Sequence, residues 1–219
     1  FTGGIPSELG NLTRLRILCL SATQLSGSVP MQIGNLEHLM ELHLDNNQLS
    51  GDLPCELGNL KNLWNLQLHD NPLLSGSLAF VEHMQSLEIL KASRCSFSDI
   101  GMLPPKLEIL DLSRNRLASI PRAWRETRLG SLQRLYIQHN NITRWELHGV
   151  FPDFNSCSEQ ILPRLDWPEL THLVVSGNPL GIAVSDFLQS VAHIHRLSTL
   201  EASSCGLHGS IVDPVPEHW

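Results

Sequence analysis

From Leu15 onward the chain repeats one short apolar signature, Leu-x-x-Leu-x-Leu, with Ile, Val or Ala accepted at the last place. Starts fall at Leu15, Leu39, Leu63 and Leu87, each 24 residues after the last, and then at Leu107, Leu132, Leu170 and Leu197 at intervals of 20, 25, 38 and 27. A period of this length means that each unit is one thin piece of structure that cannot enclose its own apolar face and must stack on its neighbours. In Leu39-Met40-Glu41-Leu42-His43-Leu44, alternation puts Leu42 and Leu44 on one face of a short strand, while His43 and Asp45 point the other way. Asn47 follows where the chain turns inward, with an amide suited to satisfying turn backbone, and Leu49 returns to the interior. Stacked units would pair their strands in parallel as a concave wall, with the rest of each coil on the convex side.

Two segments refine this reading. Leu25-Ser26-Gly27-Ser28-Val29-Pro30 and Leu49-Ser50-Gly51-Asp52-Leu53-Pro54 each precede an Ile/Leu-Gly-Asn-Leu run. They resemble the plant-type leucine-rich repeat of receptor-like kinase ectodomains and related secreted proteins, most closely over residues 1–78. Leu117-Ala118-Ser119-Ile120-Pro121 is similar to the more general form of the repeat. The expected fold is an α/β repeat solenoid: a horseshoe with a parallel β-sheet on its concave face and short helices, 3-10 turns and loops on its convex face. Residues Val184 to Arg196 read as one such helix, with His193 and His195 on it.

The whole of 1–219 is expected to be a single array. Residues 1–14 form a trailing half repeat, 15–196 seven repeats with an enlarged unit at 132–169, and 197–219 the last repeat and a tail. Neither end carries an obvious polar cap, which suggests a piece of a longer array, or ends covered by further repeats or neighbouring subunits. The enlarged unit brings in Trp145, Phe151, Phe154, Cys157 and Trp167, which either pack the irregular coil or meet a partner.

Composition removes several classes of function. With 15 basic against 22 acidic residues there is no cationic excess to replace counterions along a nucleic acid. No apolar run approaches the ~20 residues that cross a bilayer, so no membrane insertion is expected within this segment. Five cysteines, odd in number and widely spaced, give neither a metal-type pair nor a disulfide framework. Cys95 and Cys205 stand where other units have Asn and are read as structural thiols.

On the concave wall, neighbouring strands ~4.8 Å apart turn each repeat position into a column. Position five runs Cys19, His43, Gln67, Lys91, Asp111, Tyr136, Val174, Glu201. Position eight runs Ala22, Asn46, Asp70, Arg94, Arg114, His139, Gly177, Ser204, while Trp64 and Arg134 enter from positions two and three. Lys91 with Asp111, and Asp70 with Arg94, can pair across strands, leaving Arg114, Arg134 and His139 to receive a carboxylate, sulfate or phosphate. Trp64 and Tyr136 are of the type that anchors interfaces. A protein or peptide partner is therefore placed on Trp64, His69, Asp70, Lys91, Arg94, Asp111, Arg114, Arg134, Tyr136 and His139. The bland alternative is an ordinary solvated face.

No catalytic constellation or cofactor loop appears, and an enzyme is not expected. His43, Asp45 and His69 approach one another, but diagonal separations of roughly 7–8 Å are long for a shared metal. Asn11-Leu12-Thr13 and Asn141-Ile142-Thr143 are glycosylation acceptors if the chain is secreted. The family resemblance implies an extracellular or cell-surface recognition module. A structural subunit of a larger assembly and an intracellular regulator in the cytoplasm remain open.

Overall fold

A computed structural model describes residues 3–121, 124, 129–143 and 167–209. Their strands form two parallel sheets, and each strand of the concave sheet begins two residues after a signature leucine. That sheet contains β1 (Ile17–Cys19), β3 (Glu41–His43), β5 (Asn65–Gln67), β7 (Ile89–Lys91), β9 (Ile109–Asp111), β10 (Arg134–Tyr136), β11 (His172–Val174) and β12 (Thr199–Glu201), stacked in chain order. The middle residue of each strand points inward. Leu18, Leu42, Leu66, Leu90, Leu110, Leu135, Leu173 and Leu200 pair in register from coil to coil. Leu42 through Leu173 in this row have no solvent exposure. Burying each such side chain contributes about 1.5–3 kcal/mol.

The second sheet lies on the convex side, where loops and 3-10 turns were expected. It orders β2 (Ser26–Gly27), β4 (Gln48–Asp52), β6 (Leu73–Ser77) and β8 (Ser96–Asp99). β2, β4 and β6 fall on Leu-Ser-Gly runs whose leucine turns inward, and in β8 Phe97 takes the buried place. Behind these strands, 3-10 turns at Ser7–Asn11, Met31–Asn35 and Cys55–Asn59 each follow a proline in extended conformation. Their glycines are tightly stacked: a Cβ on Gly34 would lie 2.4 Å from Glu56 O. The helix α1 spans Val184–Val191, shorter than expected, so His193 and His195 fall beyond it.

The asparagines lock one coil to the next. Asn47 accepts from the Leu25 N–H at 2.9 Å and donates to Leu20 O at 2.8 Å in the preceding coil, and to Leu44 O in its own. Asn71, Asn115, Asn140 and Asn178 repeat the arrangement. Cys95 and Cys205 do half of this work. Their thiols face Leu68 O and Val175 O at 3.4 Å but accept nothing from the coil before. The N–H groups an asparagine would have served turn elsewhere, Leu74 to Asn71 O, and Leu180 to both Asn178 O and the backbone carbonyl of Cys205. Burial pushes the Cys95 thiol up to about 12 and raises that of Cys205, so neither is poised to react.

This ladder predicts an asymmetry. Asn47→Ala should lower stability by more than the ~1–3 kcal/mol of a single orphaned buried group, because one amide serves both coils. Cys95→Asn should gain little, since the Leu74 N–H is already engaged. Urea unfolding midpoints of the two variants check both statements; a stabilised Cys95→Asn variant would contradict the rerouted bond.

Candidate concave recognition surface

The strand positions fix which side chains meet on the concave wall. Position five and position three flank the inward leucine and so project outward. Position eight follows the strand and has a feature the sequence did not announce. Ala22, Asn46, Asp70, Arg94, Arg114, His139 and Ser204 all have φ between 53° and 56°, and Gly177 has 71°. Every described coil therefore enters the left-handed region one residue before its Asn or Cys, or before Thr23 in the first. That conformation costs an ordinary L-residue about 1–2 kcal/mol, and it aims the position-eight side chains in one direction.

The expected ion pairs divide. Arg94 reaches Asp70 at 3.2 Å across neighbouring coils, and both are partly or well exposed, so the pair contributes at most ~1 kcal/mol. Lys91 and Asp111 occupy partnered register positions but do not form an ion pair. Asp111 Oδ1 instead accepts from Ser113 N at 3.0 Å and Ser113 Oγ at 2.7 Å. A serine two residues on reaches the carboxylate with less entropy loss than a long lysine from the next strand. Lys91, Arg114 and Arg134 consequently make no ion pair among the described residues.

Around them stand Trp64 and Tyr136, both half-buried, and the exposed His139, whose Nδ1 would lie 2.6 Å from a Cβ on Gly177. The His139 ring thus lies close over a glycine that leaves room for it. Position five is not open throughout: Val174 is only 6% exposed. Two apolar residues missed at first, Met40 and Ile17, are exposed at the sheet margin, 40% and 56%. Ile89 and Ile109 pair in register beyond Trp64.

At position seven the side chains form a polar chain across three coils. Ser21 Oγ donates to Asp45 Oδ1 at 2.7 Å, Asn46 Nδ2 donates to Asp45 Oδ2 at 2.8 Å, and His69 Nε2 lies 3.7 Å from Asp45 Oδ2. Asp45 points outward, as alternation placed it, and is covered there by these partners. Burial alone raises its pKa, but the bonds from Ser21 and Asn46 and the charge of His69 outweigh it, and the net shift is downward. His43 takes separate partners, Glu41 at 3.3 Å and Asn65 at 3.2 Å. No cluster of metal-ligating side chains forms among the described residues.

Asn11, Thr13, Asn141 and Thr143 are all exposed. In the enlarged unit, Trp167 is buried in the core; Trp145, Phe151, Phe154 and Cys157 lie outside the described residues. Among those described, no helix is long and apolar enough to cross a membrane.

Sequence profiles for the leucine-rich repeat match residues 38–60 and 105–151. The fold is similar to the solved structure of PEPR1–AtPEP1, with a TM-score of 0.72, 26% identity, and coverage of 92% of this chain and 27% of that one. The plant peptide hormone receptor RGFR1 in complex with RGF2 gives 0.68 at 26% identity, covering 93% and 34%. A plant ice-binding protein gives 0.70 at 27% identity, covering 93% and 60%. The chain spans about a quarter to a third of the two receptor chains. A search of curated proteins by sequence finds no match.

The lowered Asp45 pKa gives a signed expectation. A carboxyl held below its usual 3.8 contributes stability that is present above that value and lost as pH falls through the folded-state pKa. Ser21→Ala removes the shortest lowering bond, so the Asp45 carboxyl should titrate at higher pH and acid unfolding should begin earlier. Carboxyl NMR titration of both proteins checks this; identical curves would mean that Ser21 does not hold the charge.

Proposed function

We propose that this leucine-rich-repeat protein, which resembles receptor ectodomains, is a non-catalytic extracellular recognition module that holds a protein or peptide partner against its concave wall. The observation that carries this reading is the local charge arrangement. Asp70 neutralises Arg94 and Ser113 occupies Asp111, so Lys91, Arg114 and Arg134 keep cations without an ionic partner among the described residues, between Trp64 and Tyr136. A guanidinium takes a carboxylate through two parallel hydrogen bonds, and Trp, Tyr and Arg are the side chains whose truncation costs most at interfaces. The similarity to a peptide hormone receptor solved with RGF2 supports a peptide-sized ligand. The wall offers an extended chain one contact column per coil.

The test separates binding from folding. Peptides selected from a displayed library against the intact chain should carry acidic and apolar residues. Trp64→Ala, Tyr136→Ala and Arg114→Gly should each weaken the selected peptides about tenfold or more, or ~1.4 kcal/mol. Glycine is chosen for Arg114 because its φ of 55° favours glycine, so charge is removed while the backbone relaxes. Unchanged affinity in all three variants would refute the concave site.

A further inference from the structure

The position-eight column combines a fixed backbone with side chains free to move. Each N–H there donates to the position-seven carbonyl of the next coil: Asp70 to Ser93 O at 3.0 Å, Arg94 to Ser113 O at 2.9 Å and Arg114 to Gln138 O at 2.8 Å. Their φ values of 56°, 53° and 55° give the three residues equivalent backbone, one strand step of ~4.8 Å apart. Asp70, Arg94 and Arg114 therefore stand side by side on three successive coils, and their side chains alone decide which of them meet.

Arg94 stands between a carboxylate and a second guanidinium, and it turns back to the carboxylate. Its Nη1 donates to Asp70 Oδ1 at 3.2 Å. No second hydrogen bond joins the two side chains among the described residues, so the two-pronged guanidinium is only half used. The pair is open to water, with side-chain exposures of 62% for Arg94 and 33% for Asp70, so it can be exchanged without uncovering a buried charge. Asp70 thus takes the place that an incoming carboxylate would take on Arg94, and it draws that cation one coil away from Arg114. Arg114 has no acid of its own among the described residues.

We infer that Asp70 is a built-in competitor that limits this column to one carboxylate and so selects partners by their acidic content. This rests on the concave wall being the binding surface and adds the partner's charge pattern to it. A segment with one acidic side chain over Arg114 meets a guanidinium that no acid of the fold has taken. A second acid two places along an extended chain points to the same side and falls over Arg94. It must displace Asp70, and it then meets repulsion from the carboxylate it has displaced, which the backbone holds one strand step away. The favoured partner is a segment with a solitary acidic residue, and one with neighbouring acids is disfavoured.

Asparagine is the substitution that isolates the charge, because Asn46 already holds a φ of 55° at the same place one coil earlier. Two amidated peptides serve as probes: one carries a single glutamate among leucines and serines, and its twin carries two glutamates two places apart. Binding to the intact chain is followed by calorimetry at low salt. Asp70→Asn should tighten the two-glutamate peptide about fivefold, or ~1 kcal/mol, and leave the single-glutamate peptide nearly unchanged. Adding Arg94→Gly should abolish that gain. An unchanged preference in Asp70→Asn, or a gain that survives Arg94→Gly, overturns the competitor role. Trp64→Ala keeps the two readings apart. If it weakens both peptides while Asp70→Asn does nothing, the concave site stands and only the role of Asp70 falls. If Trp64→Ala is silent, or neither peptide binds any of these proteins, the concave site falls and the role of Asp70 with it.

Discussion

The structure depends on one exchange repeated from coil to coil: a buried asparagine donates and accepts across the gap to the coil before it while a leucine from each coil closes the row beneath. Neither half suffices. The leucines give the larger energy but no direction, since apolar contact tolerates sliding and rotation. The amide geometry supplies register, because Asn47 can reach Leu25 N–H and Leu20 O only when the two coils are in phase. A coil is therefore incomplete by itself in its polar groups as much as in its core.

That register fixes the concave surface. Entering the left-handed region at Asp70, Arg94, Arg114 and His139 swings the chain from strand into the Asn turn and sets the position-eight column. Residues chosen there accept a backbone cost that glycine would avoid, and only Gly177 avoids it. Arginine at 94 and 114 is thus retained against its conformational preference, one paired and one not among the described residues. The same logic separates the two cysteine units. Where Cys95 and Cys205 replace the ladder amide, the preceding unit begins its turn Asn71-Pro72 and Asn178-Pro179, and the stranded N–H folds back onto its own asparagine carbonyl, that of Leu180 being shared with Cys205 O.

Much of this was legible as period. The 24-residue spacing gave the strands, the interior row and the ladder, because each needs only one residue type at one place per coil. The convex sheet was less legible: Leu-Ser-Gly looks like a turn in isolation and becomes a strand only when a neighbouring coil runs beside it, as β4 and β6 do with Gly51 opposite Leu74. Position eight was hidden because its Asn46, Asp70 and Gly177 are mixed with Ala, Arg, His and Ser, so the column as a whole carries no mark of the left-handed conformation. Asp45 was assigned outward by alternation alone, while its burial comes from Ser21 and His69 on two other coils. Lys91 and Asp111 were adjacent as expected, and the local Ser113 won the carboxylate because proximity along the chain costs less ordering. Side-chain competition of this kind has no signature in spacing.

A stacked solenoid also constrains what kind of partner it can serve. Its surfaces are lattices with one step per coil, so a ligand gains affinity by extending over several coils and matching that step. The concave wall carries large and charged side chains on its steps, and an extended chain with its own alternating side chains can answer them. The repeat places the same strand-and-turn backbone at each step and leaves the side chain as the free variable. In the concave columns that variable changes from coil to coil, whereas Asn11, Asn35 and Asn59 keep the repeat's own motif, so it is the concave columns that distinguish one coil from the next.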